Sequence, residues 1–349
     1  MKKHKICKIL LVILAIFLCV AFYELLGICV AYKKQPEVSN TTKKETKNGS
    51  WNECSENTER AVIIEKNPEA LLQRVRLIKN AKKEIILSTF AFQSDESGKL
   101  ILGALHDAAD RGVHIRLLVD GMESWIDMEG NPYFYGLSSH ENVEIKLYNK
   151  ANPLKPWKMM GRMHDKYLIA DGKRYILGGR NTYNYFLGDF PGHKNYDRDV
   201  LVVCDEPEKE NSVNQLLEYF ETIWEQEDSG YFHDNKKLAN RKSVKNAVLE
   251  LQNGYQKYFE ENKERICDTD YTDETFETEK IALVSNPIHT GSKEPVVWYQ
   301  LGELMKNAKN RVKIHTPYII CNDMMYNTWK EIAERVPDFS IMTNSVANN

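Results

Sequence analysis

The stretch His164-Asp165-Lys166-Tyr167-Leu168-Ile169-Ala170-Asp171, followed by Gly178-Gly179-Arg180-Asn181, places a nucleophile or base, a fixed cation, a glycine pair and an amide close together. Read as a strand, His164, Lys166, Leu168 and Ala170 point one way, and Met163, Tyr167 and Ile169 the other. Histidine and lysine then share a face and can converge on one anionic group. Asp171-Gly172 is a two-residue hairpin signal, returning the chain through Arg174 to Leu177. Gly178-Gly179 allows close backbone approach, and Asn181 offers its amide.

These residue types suit phosphoryl transfer. A phosphodiester repels nucleophiles through its anionic oxygens and has a poor alkoxide leaving group. Covalent catalysis by an imidazole divides the reaction into two easier steps. A lysine ammonium holds the non-bridging oxygens as charge develops. A second acid must then protonate the leaving oxygen from the far side. Taken singly, Asp171 reads as a turn residue, His164 as a structural histidine and Lys166 as a solvated charge; their order and spacing together make the functional reading specific.

The elements that must hold this hairpin are legible around it. Asn67-Pro68-Glu69 starts a helix, with Asn as cap, Pro at the first helical position, and an apolar stripe through Leu71, Leu72, Val75 and Ile78. Glu84–Phe92 reads as a strand, Gly98–Arg111 as a helix, and Val113–Val119, Val143–Leu147 and Asp197–Val203 as strands. Val213–Trp224 is amphipathic through Leu216, Leu217, Phe220, Ile223 and Trp224, and a further helix is predicted over Val244–Phe259. The expected fold is α/β, a mixed sheet flanked by helices on both faces.

The chain also echoes itself. Lys79-Asn80-Ala81-Lys82-Lys83-Glu84-Ile85-Ile86 returns as Lys306-Asn307-Ala308-Lys309-Asn310-Arg311-Val312-Lys313, a helix end running into a strand. The second strands, Val113–Val119 and Phe339–Met342, keep nearly the same offset, so internal duplication is expected. A second copy of the hairpin would fall past Asn349, and the second site motif is expected there. His289 and His315 are poor substitutes, because neither has an x-Lys partner or a glycine pair.

His164-x-Lys166-x4-Asp171 with Gly178-Gly179-x-Asn181 resembles the HxKxxxxD signature of the phospholipase D superfamily. Arg162-Met163 before it, and Tyr185-Phe186 and Asp197-Arg198-Asp199-Val200 after it, are similar to bacterial cardiolipin synthases. The resemblance runs from about Ala61 to the end, outside a charged middle stretch. It implies that His164, Lys166 and Asp171 are catalytic, that His164 forms a phosphohistidine, and that Lys166, Asn181 and Gly179 bind phosphate. It further implies an acidic residue that orients the histidine, with Asp197 the first choice and Asp199 the second. No metal or other cofactor is expected for such chemistry.

Of 349 residues with a net charge of −3, none of the global balance points to nucleic acid, although Lys155, Lys158, Arg162, Lys173, Arg174, Arg180, Lys194 and Arg198 gather near the motif. Ile6 to Tyr32 is apolar except for Glu24, long enough to span a bilayer and too long for a cleaved signal. Lysines flank it on both sides, so orientation is nearly balanced, with a cytoplasmic catalytic domain preferred. The seven cysteines show no CxxC or zinc spacing. The expected organisation is a membrane anchor over 1–34, a flexible tether over 35–58, a first phospholipase D-like domain over 59–228, a charged insert or linker over 229–280 and an incomplete second domain over 281–349.

The function these features imply is a phosphatidyltransferase anchored in a bacterial membrane, acting on anionic phospholipid and converting phosphatidylglycerol to cardiolipin. The competing readings are a phospholipase D-type phosphodiesterase, a nuclease of the same superfamily, and an inactive half lacking its second motif. A homodimeric site is disfavoured, because duplication would place the partner motif in the same chain.

Overall fold

The computed structural model describes residues 2–49, 59–204, 211–233 and 235–345. They fall into two compact units, one drawn from residues 1–33 and 54–283, the other from 34–53 and 284–349. In the first, the chain runs α1 (Lys2–Ala31), β1 (Arg60–Ile64), α3 (Asn67–Asn80), β2 (Glu84–Thr89), α4 (Glu96–Asp110) and β3 (His114–Asp120), with α2 (Asn40–Asn48) belonging to the second unit. It continues through α5 (Gly121–Asp127), α6 (Pro132–Ser138), β4 (Val143–Tyr148), the hairpin β5 (Tyr167–Ala170) and β6 (Arg174–Gly178), β7 (Asp199–Val203) and α7 (Ser212–Trp224). The short β8 (Ser229–Tyr231), α8 (Lys242–Glu261), α9 (Lys263–Cys267) and β9 (Phe276–Glu277) complete it.

The sheet has nine strands in the order β8-β4-β3-β2-β5-β6-β7-β1-β9. β4, β3 and β2 are parallel, while β5, β6, β7 and β1 alternate antiparallel from there. The polarity switch at β2 and β5 aligns the ends of β2, β3 and β6 with the starts of β5 and β7. All lie along one rim, the topology that builds sites at the carboxyl ends of parallel strands.

One face of the sheet presents Ile85, Leu87, Leu117, Val119, Ile145, Leu168 and Leu201 to α3, α4, α6 and α8 in a single core. The opposite parity, Ile86, Leu118, Tyr167, Ile169, Tyr175 and Val202, is also buried. There α7 covers it, with Phe220 edge-on to Tyr167 (6.5 Å) and Ser212 hydrogen-bonded to Tyr175 (2.8 Å). Helices therefore flank a mixed sheet on both faces, as expected.

Two boundaries differ from the sequence reading. Residues 229–280 are no linker. In α8, Val244, Ala247, Leu251, Tyr255 and Phe259 are buried at helical spacing, and Tyr255 meets α4 closely enough that a Cβ on Gly103 would lie 2.7 Å from it. The acidic run is also engaged: buried Arg76 pairs with Asp268 (3.3 Å) and Glu274 (2.9 Å) and stacks on Tyr271 (3.9 Å). Within the expected tether, α2 is a capped helix. Ser39 accepts from the Thr42 amide (3.1 Å), and Glu294 accepts from Ser39 N–H (2.8 Å) and Thr42 Oγ1 (2.6 Å). Residues 50–58, with Cys54, lie outside the described residues, as does the stretch 346–349 of the expected second domain.

The second unit continues with α10 (Val296–Lys306), β10 (Arg311–His315), α11 (Asp323–Arg335) and β11 (Asp338–Met342). Its two strands are parallel, pairing Val312 with Phe339 and His315 with Met342. A small core of Val312, Ile332 and Val336 and an edge-on Trp298–Trp329 pair (5.6 Å) hold it.

Candidate active site

The rim formed by the ends of β2, β3 and β6 and the starts of β5 and β7 gathers most of the expected site residues. β5 begins at Tyr167, so His164 and Lys166 precede the strand, although the ladder still reaches Lys166 through Gly178 N–H donating to its carbonyl (3.1 Å). Both side chains lie against Phe90, just past β2. The His164 ring meets it edge-on at 4.6 Å, and the Lys166 ammonium stands 5.3 Å from its centroid. Lys166 is 5% exposed and donates to the His164 carbonyl (2.6 Å).

Burial lowers the Lys166 pKa from 10.5 to about 8, against the opposing pull of Asp165 and Asp197. The ammonium is thus charged at neutral pH yet poorly solvated, the state in which an incoming phosphate oxygen gains most. The His164 ring opens to solvent at one side, but the atoms packed around it desolvate it. That desolvation lowers its pKa, reinforced by Lys166 and Arg162 and opposed by Asp120. A neutral imidazole at pH 7 is a nucleophile.

Asp120, at the end of β3, is the carboxylate that acts on His164. It is 1% exposed, caps α5 by accepting from Met122 (3.0 Å) and Glu123 (3.2 Å) N–H, and accepts from Arg162 Nε on both oxygens (2.9 and 3.0 Å) and from Nη2 (2.7 Å). Its second oxygen accepts from Met163 N–H (3.0 Å), which fixes the backbone immediately before His164. Arg162 also pairs with Glu123 (3.0 Å) and lies 5.0 Å from the Phe90 ring.

Neither predicted orienting acid takes this place. Asp199 is buried between Arg74 (2.9 Å) and Arg180 (3.3 Å), a structural ion cluster. Arg180 in turn donates to the carbonyls of Ile64 (3.1 Å) and Glu65 (2.7 Å) and to Asn67 Oδ1 (3.2 Å). Asp197 lies against the glycine pair, where a Cβ on Gly179 would come within 2.1 Å of its Oδ2. Its charge acts on Lys166 and Arg180. Gly178 has the same role for Asp199, with only 2.0 Å between a Cβ and Oδ1.

Asn181 is 8% exposed, its Oδ1 accepting from Ala91 N–H (3.3 Å) past the end of β2. Residues around it pair across, with Thr182 N–H to Ala91 O (3.1 Å) and Gln93 N–H to Thr182 O (3.2 Å). A hydrogen bond from its amide lowers the Tyr183 pKa against the larger effect of burial, which raises it.

Asp171 is not in the site. It closes the β5–β6 turn at the opposite rim, in a left-handed conformation (φ 55°) followed by Gly172 (φ 63°). Its carboxylate accepts from the N–H groups of Lys82 (2.8 Å), Lys83 (2.7 Å) and Glu84 (3.0 Å), tying the α3–β2 junction to the hairpin. The six described cysteines are free, and among the described residues no group of three or more His, Cys, Asp or Glu is arranged to hold a metal ion. A cavity of about 180 Å³ opens beside the site between α5 and the β4–β5 loop, lined by Met122, Asn149, Lys155 and Lys158 rather than by His164.

Residues 74–224 match the family described as cardiolipin synthase, PLD-like domain. The chain is 28% identical over 316 residues to an uncharacterised protein of Helicobacter pylori, covering 82% of this chain and 60% of that protein. It is 29% identical over 171 residues to cardiolipin synthase C of Escherichia coli, covering 45% of this chain and 34% of that one. The phosphatidylserine synthase of Haemophilus influenzae shares the fold, with a TM-score of 0.56 at 14% identity over 86% of this chain and 66% of that chain. The chain spans about three fifths of the length of the Helicobacter pylori relative and about a third of the Escherichia coli one.

Proposed function

We propose that the chain supplies a nucleophilic half-site of a membrane-anchored phosphatidyltransferase of the cardiolipin synthase type. The observation that carries this is the convergence of His164, Lys166, Gly179 and Asn181 on one rim, with the Asp120–Arg162 pair fixing the backbone before the histidine. A ring nitrogen of His164 attacks the phosphorus of phosphatidylglycerol, the P–O bond to the head-group glycerol breaks, and that alkoxide takes a proton. Lys166 and Asn181 hold the non-bridging oxygens meanwhile. The hydroxyl of a second lipid then attacks the phosphohistidine, loses its proton, and releases the imidazole.

The proton donor is assigned to a second acidic group facing His164 across the phosphorus, as an in-line displacement requires. The helix–strand–helix–strand order of α10–β11, with parallel strands as in α3–β3, supports the reading that the two stretches are copies of one plan. Lipid is favoured as substrate by α1, in which Lys5–Ala31 is long and apolar enough to cross a membrane. The relatives that act on phospholipid by name support the same choice.

The test is phosphatidyl transfer between phosphatidylglycerol vesicles, with the second motif supplied. His164→Ala should lose at least about 10³-fold in rate while keeping its unfolding midpoint. Transfer retained by that variant contradicts the assignment, and cleavage of DNA with no lipid transfer replaces it with the nuclease reading.

A further inference from the structure

The loop joining β4 to β5 carries His164 near its end, and its tip exposes three large apolar residues: Leu154 (78%), Trp157 (45%) and Met160 (57%). The same tip packs on α1. Tyr23 donates through its hydroxyl to the Leu154 carbonyl (3.1 Å), and Gly27 lets Pro156 approach so closely that a Cβ there would lie 2.5 Å from Pro156 Cγ. Glu24, the one acidic residue of the apolar span, is half-buried on this face, with Oε2 shielded from solvent.

These contacts set a depth. Tyr23 and Gly27 precede Ala31, the end of the apolar span, by about 12 Å and 6 Å of helix. Side chains seated against them lie where interfacial apolar groups settle, roughly 5–10 Å into the head-group and acyl boundary. We infer that Leu154, Trp157 and Met160 dip into the bilayer that α1 crosses, seating the active-site rim on the lipid surface. This rests on reading α1 as membrane-spanning.

The occupant follows from continuity and chemistry. The exposed apolar flank of α1, from Ile6 to Phe22, runs toward the loop tip. Trp157 is the residue type that prefers a membrane interface, and the exposed Lys155 beside it suits anionic phosphates. The loop is braced rather than loose: Asn149 Nδ2 donates to the carbonyls of Lys158 (2.7 Å) and Gly161 (2.8 Å), and Lys158 pairs with Asp228 (2.6 Å). From Gly161 the chain passes through Arg162 and Met163, both held by Asp120, to His164. Depth at Trp157 is thereby transmitted to the nucleophile by short, fixed backbone.

The test compares the full chain with Trp157→Phe in vesicles containing phosphatidylcholine brominated near the head group. Wild-type tryptophan emission should be quenched, and the variant should lose about half of that quenching, an interfacial Trp being the best-placed of the fluorophores. Resistance to alkaline carbonate extraction reports separately on α1. An extraction-resistant protein whose quenching is unchanged by Trp157→Phe overturns the docking inference and leaves the anchor standing, pointing to a protein partner for the loop. Release by carbonate overturns the anchor and the inference together.

Discussion

Two stretches of the chain follow the same plan and are used differently. In α3–β2–α4–β3 and in α10–β10–α11–β11, a helix runs into a strand, a second helix follows, and the second strand pairs parallel to the first. In the first stretch the strands are buried on both faces and sit mid-sheet, with β5 continuing beyond β2. In the second they form a two-stranded sheet whose residues are largely exposed. The first ends its strands on Phe90 and Asp120, which hold His164; the register of the second puts Pro317 and Asn344 at the corresponding points. A parallel strand pair is therefore only a frame. The site comes from the hairpin beside it and from the charges that the neighbouring strands bury.

The sharpest way to break the sheet that holds the first stretch is at the buried ion cluster tying its α3 to β7. Asp199→Ala removes the buried carboxylate that Arg74 and Arg180 share and should cost about 3–5 kcal/mol, read by denaturant unfolding. A loss under 1 kcal/mol would show the cluster to be hydrated.

Lys166→Met tests the opposite sign. With its pKa depressed to about 8, Lys166 binds fewer protons folded than unfolded between pH 8 and 10.5, so stability contributed through this group rises across that window. Its desolvation is fully opposed to folding below pH 8. The methionine variant should therefore be more stable at pH 7 by about 1–3 kcal/mol, a gain that shrinks as pH climbs to 10.5, while phosphate binding is lost. Destabilisation at pH 7 would show that the ammonium has better partners than the His164 carbonyl.

The smallest effect belongs to the second stretch. Lys306 pairs with Glu303 (3.1 Å) and Glu331 (2.8 Å) near the surface, and Lys306→Met should cost at most about 1 kcal/mol. A loss comparable to that of Asp199→Ala would erase the distinction drawn between the two regions.

The parts of the site that lie on one hairpin were legible in sequence, because period-two spacing and turn chemistry are local. His164, Lys166, Gly178, Gly179 and Asn181 reach one rim for that reason. Asp171 was also legible, as an Asp-Gly turn residue, and its motif position drew it wrongly into the site. Phe90, Arg162 and Asp120 act together because β2 lies between β3 and β5, an order that no local pattern encodes. A polar residue closing a buried strand, as Asp120 does before Gly121, was the available signal. In α8 the charged exposed face concealed a buried stripe at Val244, Ala247, Leu251 and Tyr255 that the helical period did mark.

The proposed reaction passes through a phosphatidyl group bound covalently to His164. The direct measurement is brief incubation with phosphatidylglycerol carrying radioactive phosphorus in the phosphatidyl phosphate, followed by quenching and peptide mapping. The account predicts an acid-labile, alkali-stable label on the peptide containing His164, absent from His164→Asn. A protein that transfers phosphatidyl groups with no label on that peptide would contradict it.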